Sequence, residues 1–251
     1  MTDRGTALVT GAARRIGREL ALAAAEAGYD VAVHFRSSRG EAHDLCDQIR
    51  ALGRQAAPIQ ADLSLLADVE GLIPRAADAL GPVTLLVNNA SVFQDDRLET
   101  ITRESWTVHL DANLRAPVLL AQSFAAELPS DRVGSIVNLL DQRVWRPNPL
   151  FFSYTVSKAA LWAATRTLAQ ALAPRIRVNG IGPGPTLPSV HQAPGEFEAE
   201  AAGVPLQRVV EAAELGAALR FLIDSPSVTG QMIAVDAGQH LGWRTPDVIT
   251  A

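Results

Sequence analysis

Tyr154 and Lys158 stand four residues apart in the run Phe152-Ser153-Tyr154-Thr155-Val156-Ser157-Lys158. That spacing puts a phenol and an ammonium on one face of a helix. An ammonium beside a phenol favours phenolate, so the tyrosine pKa is expected to fall from its ordinary value of about 10. The pair would then serve as a proton donor to a carbonyl or imine that receives a hydride. Tyr-x3-Lys alone is a weak pattern, equally produced by two unrelated helix residues. Its weight here comes from a glycine-rich turn, an Asn-Asn-Ala-Ser run and a carboxylate, Asp141, elsewhere in the chain.

The glycine-rich turn is Thr10-Gly11-Ala12-Ala13-Arg14-Arg15-Ile16-Gly17, directly after the apolar run Ala7-Leu8-Val9. A tight strand-to-helix turn brings backbone N–H groups and a helix N-terminus to a pyrophosphate. Gly11 permits the turn, and Gly17 permits close helix-on-strand packing; a plain strand-to-helix turn is the competing reading. The second strand ends in His34-Phe35-Arg36-Ser37-Ser38. An acidic residue there would suit a free ribose, whereas Arg36 and Ser37 suit a 2′-phosphate, so NADP(H) is the expected cofactor. A solvated Arg36 is the alternative.

Short apolar runs that alternate with longer Ala/Leu-rich segments must position these groups. Strands are expected at 7–10, 30–35, 56–60, 83–87, 135–140, 176–180 and 232–235. Helices are expected at 15–28, 41–52, 65–80, 103–128, 152–172 and 211–223. Strict alternation of this kind means a parallel sheet with helices on both faces, and strands apolar without alternation agree. The expected architecture is therefore α/β: a single domain over 1–251, a Rossmann-type doubly wound parallel sheet. The proline-rich stretch 182–204 reads as an irregular segment that lids the substrate.

Composition narrows the classes. The chain has 251 residues, 48% of them apolar and 20% charged, enough to bury a sizeable core. A net charge of −5 gives no bulk attraction to nucleic acid or anionic membrane. Cys46 is the one cysteine; it fits a reducing compartment, and a helix residue with no redox role is its plain reading. No signal-peptide pattern opens the chain and no apolar stretch is long enough to span a bilayer, so a cytoplasmic location is expected. The histidines at 34, 43, 109, 191 and 240 are scattered; no metal site is expected and none is assigned a role.

The turn at 10–17 resembles the Thr-Gly-x3-Gly-x-Gly pattern of the short-chain dehydrogenase/reductase family, with Arg15 in place of the middle glycine. Asn88-Asn89-Ala90-Ser91 resembles that family's Asn-Asn-Ala-Gly, with Asn88 as structural support. The resemblance implies cofactor contacts at Gly11, Arg14, Arg15, Ile16, Gly17, Arg36, Ser37, Asp62, Leu63, Asn89, Ala90, Ser91, Tyr154, Lys158, Pro183 and Gly184. Asp62 would face the adenine amine, though capping the next helix is an equal reading. Asn113 matches the asparagine that anchors a water for proton relay; a helix kink or a surface position is the alternative. Helix pairing around the Asn113 and Tyr154 regions implies a homotetramer.

Most members of the family carry a serine thirteen residues before the tyrosine, where this chain has Asp141. Asp141 in that place, Arg15 for glycine and Ser91 after Asn-Asn-Ala occur together in the pteridine reductase subgroup. This implies that Phe93 stacks on a flat pterin opposite the nicotinamide, that Arg15 and Ser91 hold substrate, and that Asp141, Tyr154, Lys158 and Asn113 are catalytic. Asp141 would have to be protonated to donate, so turnover should favour mildly acidic pH; an Asp that caps the next element is the other reading. Trp145, Leu150 and Phe151 either wall the substrate site or pack ordinarily, and Trp243 or Arg244 could reach a neighbouring site. The implied function is NADPH-dependent reduction of a dihydropterin, folate or related fused heterocycle at C=N. The alternatives are a short-chain ketone or 3-oxoacyl reductase and, in another class, a non-catalytic NADP(H)-sensing protein. Enoyl-thioester reduction fits less well, because that branch spaces its tyrosine and lysine more widely.

Overall fold

The computed structural model describes residues 4–243. Seven parallel strands lie in the order β3-β2-β1-β4-β5-β6-β7. They are β1 Thr6–Val9, β2 Asp30–Phe35, β3 Ala56–Gln60, β4 Val83–Asn88, β5 Gly134–Leu139, β6 Ile176–Pro183 and β7 Met232–Val235. The helices are α1 Arg15–Glu26, α2 Arg39–Ala51, α3 Leu66–Leu80, α4 Arg103–Leu110, α5 Ala116–Glu127, α6 Phe152–Leu172, α7 Glu196–Gly203 and α8 Ala212–Asp224. This is the Rossmann-type, doubly wound architecture expected from the alternation.

Successive strand residues face opposite sides of a sheet. Ala7 and Val9 of β1, with Val31 and Val33 of β2, enter one apolar layer under α1, α2 and α8. Leu8 and Ala32 enter the other, under α3 and α5. Both sides are covered, which is why the strands read as continuous apolar runs. Close packing sets local requirements. A Cβ on Gly134 would meet the fully buried Phe124 ring at 2.7 Å, and burying such a ring contributes about 1.5–3 kcal/mol.

The strand order reverses between β1 and β4, so a crevice opens at their carboxyl ends, where open α/β sheets bind ligands. Three differences from the expected elements matter there. The helix expected across 103–128 is broken by a π-turn at Asp111–Arg115 that carries Asn113; wide turns of this kind cluster at functional sites. Strand β6 runs on to Pro183, and α7 occupies Glu196–Gly203, so the stretch 182–204 is only partly irregular. Its proline content masked the strand extension, and its acidic, weakly amphipathic helix shows no clear apolar stripe.

Candidate active site

The glycine turn is held by backbone geometry. Gly11 has φ +61, and its N–H donates to His34 Nδ1 at 2.9 Å. A Cβ on Gly17 would lie 2.2 Å from the Gly11 carbonyl oxygen, so only glycine fits. Asn89 Nδ2 donates to the Thr10 and Gly11 carbonyls at 2.8 and 3.1 Å, and Thr10 Oγ1 accepts the N–H groups of Asn89 and Ala90 at 2.9 and 3.0 Å. Asn88 is buried and donates to Asn138 Oδ1 at 2.9 Å, the supporting role expected of it.

A cavity of about 440 Å³ opens beside this turn, lined by Gly11, Arg14, Arg15, Ile16, Gly17, Arg36, Ser37, Asp62, Leu63, Asn89, Ala90 and Ser91. Arg14, Arg15 and Arg36 line its wall with one carboxylate, Asp62, and Arg14 lies 3.7 Å from Glu41. The cradle that a Cβ would fill and the excess of cations both fit a dinucleotide phosphate. Asp62 Oδ1 accepts both the N–H and the hydroxyl of Ser64 at 2.9 and 2.7 Å, and these bonds hold its carboxyl below the ordinary range. It organises the loop after β3 rather than capping α3, which begins after Leu65.

His34 also borders this cavity, although no sequence pattern marked it. Because Nδ1 accepts from Gly11, the proton sits on Nε2, 3.2 Å from the Ala61 carbonyl. Burial pushes its pKa down to about 4, which keeps the ring neutral and the acceptor available. The usable clue is parity: His34 shares a side of β2 with Ala32, towards Ala61.

A second cavity, of about 600 Å³, adjoins the first, and Arg15, Ile16, Asn89 and Ser91 line both. It brings together Asp141, Tyr154, Lys158, Phe93 and Phe151. Pro183 and Gly184 line this cavity and not the turn side. A Cβ on Gly184 would come 2.5 Å from Asp236 Cα. Tyr154 donates its hydroxyl proton to Asp141 Oδ2 at 2.8 Å. Asp141 Oδ1 accepts the Arg143 N–H at 2.8 Å and so caps the following 3-10 turn. The capping and acid readings of Asp141 therefore coexist, one oxygen for each.

The expected acidification of Tyr154 by Lys158 does not occur. Lys158 Nζ donates to the Leu139 carbonyl at 2.7 Å and lies 5.7 Å from the Tyr154 ring centre. Burial and the Asp141 carboxylate push the Tyr154 pKa well above its ordinary value. Burial also raises Asp141, against the Arg143, Tyr154 and Lys158 contacts, and lowers Lys158 to about 8. Sequence spacing carries no information on desolvation, and desolvation dominates all three groups. The phenol is hydrogen-bonded to the carboxyl group, and the ammonium is tied to the end of β5.

Arg15 has φ +55, the left-handed conformation that explains a glycine at this place in related turns. Its guanidinium donates to the Leu187 and Pro188 carbonyls at 3.4 and 3.0 Å, so it reaches the segment after β6. Phe93 stacks on Phe151, with ring centres 4.2 Å apart, and meets Tyr154 edge-on at 4.7 Å. Phe151 lines the cavity, while Trp145 and Leu150 are exposed and do not.

Asn113 is fully buried. Its Oδ1 accepts the Val92 N–H and the Ser91 hydroxyl, and its Nδ2 donates to the Val92 carbonyl and Ser157 Oγ. All four side-chain hydrogen-bonding positions are taken within the protein, so the side chain fastens the 91–92 loop to α6. Trp243 is exposed, and Arg244 lies outside the described residues.

Residues 11–240 match the family described as enoyl-(acyl carrier protein) reductase. The chain belongs to the short-chain dehydrogenase/reductase family. Among its relatives in this family, the 3-oxoacyl-(acyl-carrier-protein) reductase FabG of Staphylococcus epidermidis is 32% identical, over 94% of this chain and 99% of its own. The FolM alternative dihydrofolate reductase 1 of Brucella suis, solved in complex with NADP, is 50% identical with a TM-score of 0.95, covering 99% of this chain and 100% of that one. A short-chain dehydrogenase of Burkholderia cenocepacia, also solved with NADP, is 33% identical with a TM-score of 0.88, over 94% of this chain and 98% of its own. As a member of this family, the chain has the Tyr–Lys spacing of four and departs from the usual pattern at Arg15 and Asp141.

Proposed function

We propose that this chain is an NADPH-dependent reductase that acts on a dihydropterin, a folate or a related fused heterocycle at a C=N bond. The observation that carries the reading is the 2.8 Å bond between Tyr154 and Asp141 in the larger cavity. A ring nitrogen that accepts a proton needs an acid, and a carboxyl group raised by burial supplies one that a neutral serine would not. The 50% identity to proteins named alternative dihydrofolate reductase supports the same assignment.

NADPH, when bound, supplies the hydride. Gly11, Ile16 and Gly17 let its phosphates approach the turn, and Arg14, Arg36 and Ser37 bind its charged adenosine end. Asp62, Leu63, Asn89, Ala90, Pro183 and Gly184 line the remaining path. Lys158 holds the nicotinamide ribose. Phe93 and Phe151 offer aromatic faces to a flat substrate, and Arg15 and Ser91 hold its polar edge. Asp141 passes a proton through Tyr154 to the substrate nitrogen.

The 32% identity to FabG favours one alternative, reduction of a ketone or 3-oxoacyl thioester with Asp141 filling the serine's place. Oxidation of NADPH is measured with dihydrobiopterin and dihydrofolate against a panel of ketones. Pterin turnover is expected; ketone turnover without pterin turnover overturns the reading. Tyr154→Phe should lower kcat about 100- to 10,000-fold and leave NADPH binding intact. NADPH binding with no turnover of either class would instead mark a nucleotide-sensing protein.

A further inference from the structure

A second polar cluster lies directly behind the Tyr154 phenol. Helix α6 starts after Phe151, whose φ of 52 is left-handed and whose side chain cannot cap. The first N–H groups of a helix need partners from elsewhere. Asp96, from the segment after β4, provides them. Its carbonyl accepts the Phe152 N–H at 3.1 Å. Its Oδ1 accepts the Ser153 N–H at 3.0 Å, and its Oδ2 accepts the Ser153 hydroxyl. A carboxylate at a helix N-terminus is also favoured by the helix dipole. Burial pushes the Asp96 carboxyl up, but the Ser153 bonds together with Ser105 and His109 outweigh it and the net shift is downward.

His109 of α4 completes the cluster. Its Nε2 accepts the Gln94 N–H at 3.1 Å, so the proton sits on Nδ1. That nitrogen is 2.9 Å from the Ser105 carbonyl and 2.6 Å from Ser153 Oγ. Burial lowers the His109 pKa, consistent with a neutral ring. A chain of hydrogen bonds thus runs along Gln94, His109, Ser153 and Asp96, with the His109 Nδ1 proton between the Ser105 carbonyl and Ser153 Oγ. The residue types are those of a hydrolytic triad, yet the wiring is different. The serine hydroxyl donates to the carboxylate and not to the imidazole. Ser153 and His109 have 0% exposure and Asp96 3%, so no substrate reaches the hydroxyl.

The placement matters more than the chemistry. Ser153 adjoins Tyr154, Gln94 adjoins Phe93, and Phe151 sits at the capped helix start. The His109 ring meets the Tyr154 ring edge-on at 6.2 Å. We propose that Asp96, Ser153 and His109 are positioning residues that set the Tyr154 hydroxyl against Asp141 and the Phe93–Phe151 pair across the cavity. The proposal rests on Tyr154 as the proton donor of the proposed reduction.

The test uses the full chain with Asp96→Asn, which keeps the shape and loses one acceptor towards Ser153. The expected result is a kcat lower by about tenfold to a hundredfold, with NADPH affinity unchanged and the fold retained by circular dichroism. In a Tyr154→Phe background the same substitution should cost nothing further. Ser153→Ala keeps the partners of both backbone N–H groups and should show a smaller loss of the same kind. It decides the matter if Asp96→Asn does not fold. His109→Gln, which can still accept and donate, should retain more activity than His109→Phe.

A readout independent of turnover is tyrosine ionisation followed by near-ultraviolet absorbance. The chain has two tyrosines, so subtracting the Tyr154→Phe titration isolates Tyr154. Asp141, Arg143, Lys158 and His109 face that phenol. Asp96→Asn should move its ionisation down towards the ordinary tyrosine value, because a loosened phenol loses its buried contact with Asp141. An unchanged titration in a folded variant, or an equal kcat loss with and without the Tyr154 hydroxyl, overturns the proposal. If the wild-type protein reduces neither pterin nor ketone, the proposed function fails and the titration alone judges the positioning unit.

Discussion

The two halves of the ligand trough are built on different principles. Around the glycine turn, position is dictated by backbone: Gly17 has no room for a Cβ, Gly11 takes a positive φ, and Asn89 and Thr10 bind main-chain groups. Around Asp141 and Tyr154, position is dictated by buried side chains whose ionisation each alters the others. Backbone constraints tolerate almost no substitution and serve any dinucleotide. Side-chain chemistry can be exchanged at modest structural cost, as at Asp141, whereas the other departure from the usual family pattern, Arg15, sits in the turn at a positive φ.

The largest effect on stability and cofactor binding should come from breaking the backbone-built half. In Gly17→Ala the new Cβ would lie 2.2 Å from the Gly11 oxygen and 2.5 Å from Asn89 Nδ2. Neither atom is the end of a flexible chain free to move, because Asn89 is itself bonded to the turn. The turn must open, at a cost of about 1–3 kcal/mol of stability and about a hundredfold or more in NADPH affinity. Fluorescence titration with NADPH and a thermal melt measure the two together. A melt and an affinity equal to wild type would show that the turn is not the rigid element described.

In the side-chain-built half, Asp141→Asn should leave NADPH binding alone and lower pterin turnover about a hundredfold. It also carries a pH signature. The Asp141 carboxyl is raised by burial, so its protonated, donating form is present at low pH and is lost as pH rises through the folded-state value. Lys158, at about 8, is cationic below that pH and loses its charge above it. Both changes lower turnover on the alkaline side, so wild-type kcat should fall as pH rises, as Asp141 loses its proton and, around pH 8, as Lys158 loses its charge. In Asp141→Asn the fall should be confined to the Lys158 limb. Identical profiles in the two proteins would remove Asp141 from the proton path.

These contrasts also explain what could be read from the chain beforehand. The boundaries of β2, β3, β7 and α6 fall where apolar runs meet Gly, Pro or polar clusters, because burial on both faces leaves a strong local signal. The turn and the Tyr–Lys pair were visible for the same reason: short-range geometry imposes residue type at fixed spacing. The π-turn at 111–115, the helix at 196–203 and the bonds of Asp96 to Ser153, 57 positions away, depend on tertiary contacts that leave no periodic trace. The direction of the Tyr154 shift was hidden for another reason. A charge four residues away is legible, but the desolvation that outweighs it is a property of the folded interior.

A smaller effect is expected at the cofactor's adenosine end. Arg36 is exposed at the end of β2 and lines the nucleotide cavity with Ser37. Arg36→Ala should reduce the preference for NADPH over NADH by about tenfold to a hundredfold, the value of one charge-assisted hydrogen bond. kcat with saturating NADPH should not change. Ratios of kcat/KM for the two cofactors measure this directly, and an unaltered ratio would move the 2′-phosphate contact to Arg14.

Arg15→Gly should have the smallest effect on stability, and the reason joins the two halves. Relief of the left-handed backbone at φ +55 contributes about 1–2 kcal/mol. Against it stand the greater unfolded-state freedom of glycine, about 0.5–1 kcal/mol, and the loss of the bonds to the Leu187 and Pro188 carbonyls, each about 0.5–1.5 kcal/mol at most where solvent competes. The terms nearly cancel, so the melting temperature should move by only a few degrees. The bonds that are lost, however, run from the nucleotide turn to the segment that borders the larger cavity. Their removal should raise the KM for the pterin several-fold and spare kcat, since none of them touches the proton path. A kcat loss instead would mean that Arg15 acts in the chemical step, and a large stability gain would mean that its side chain holds nothing.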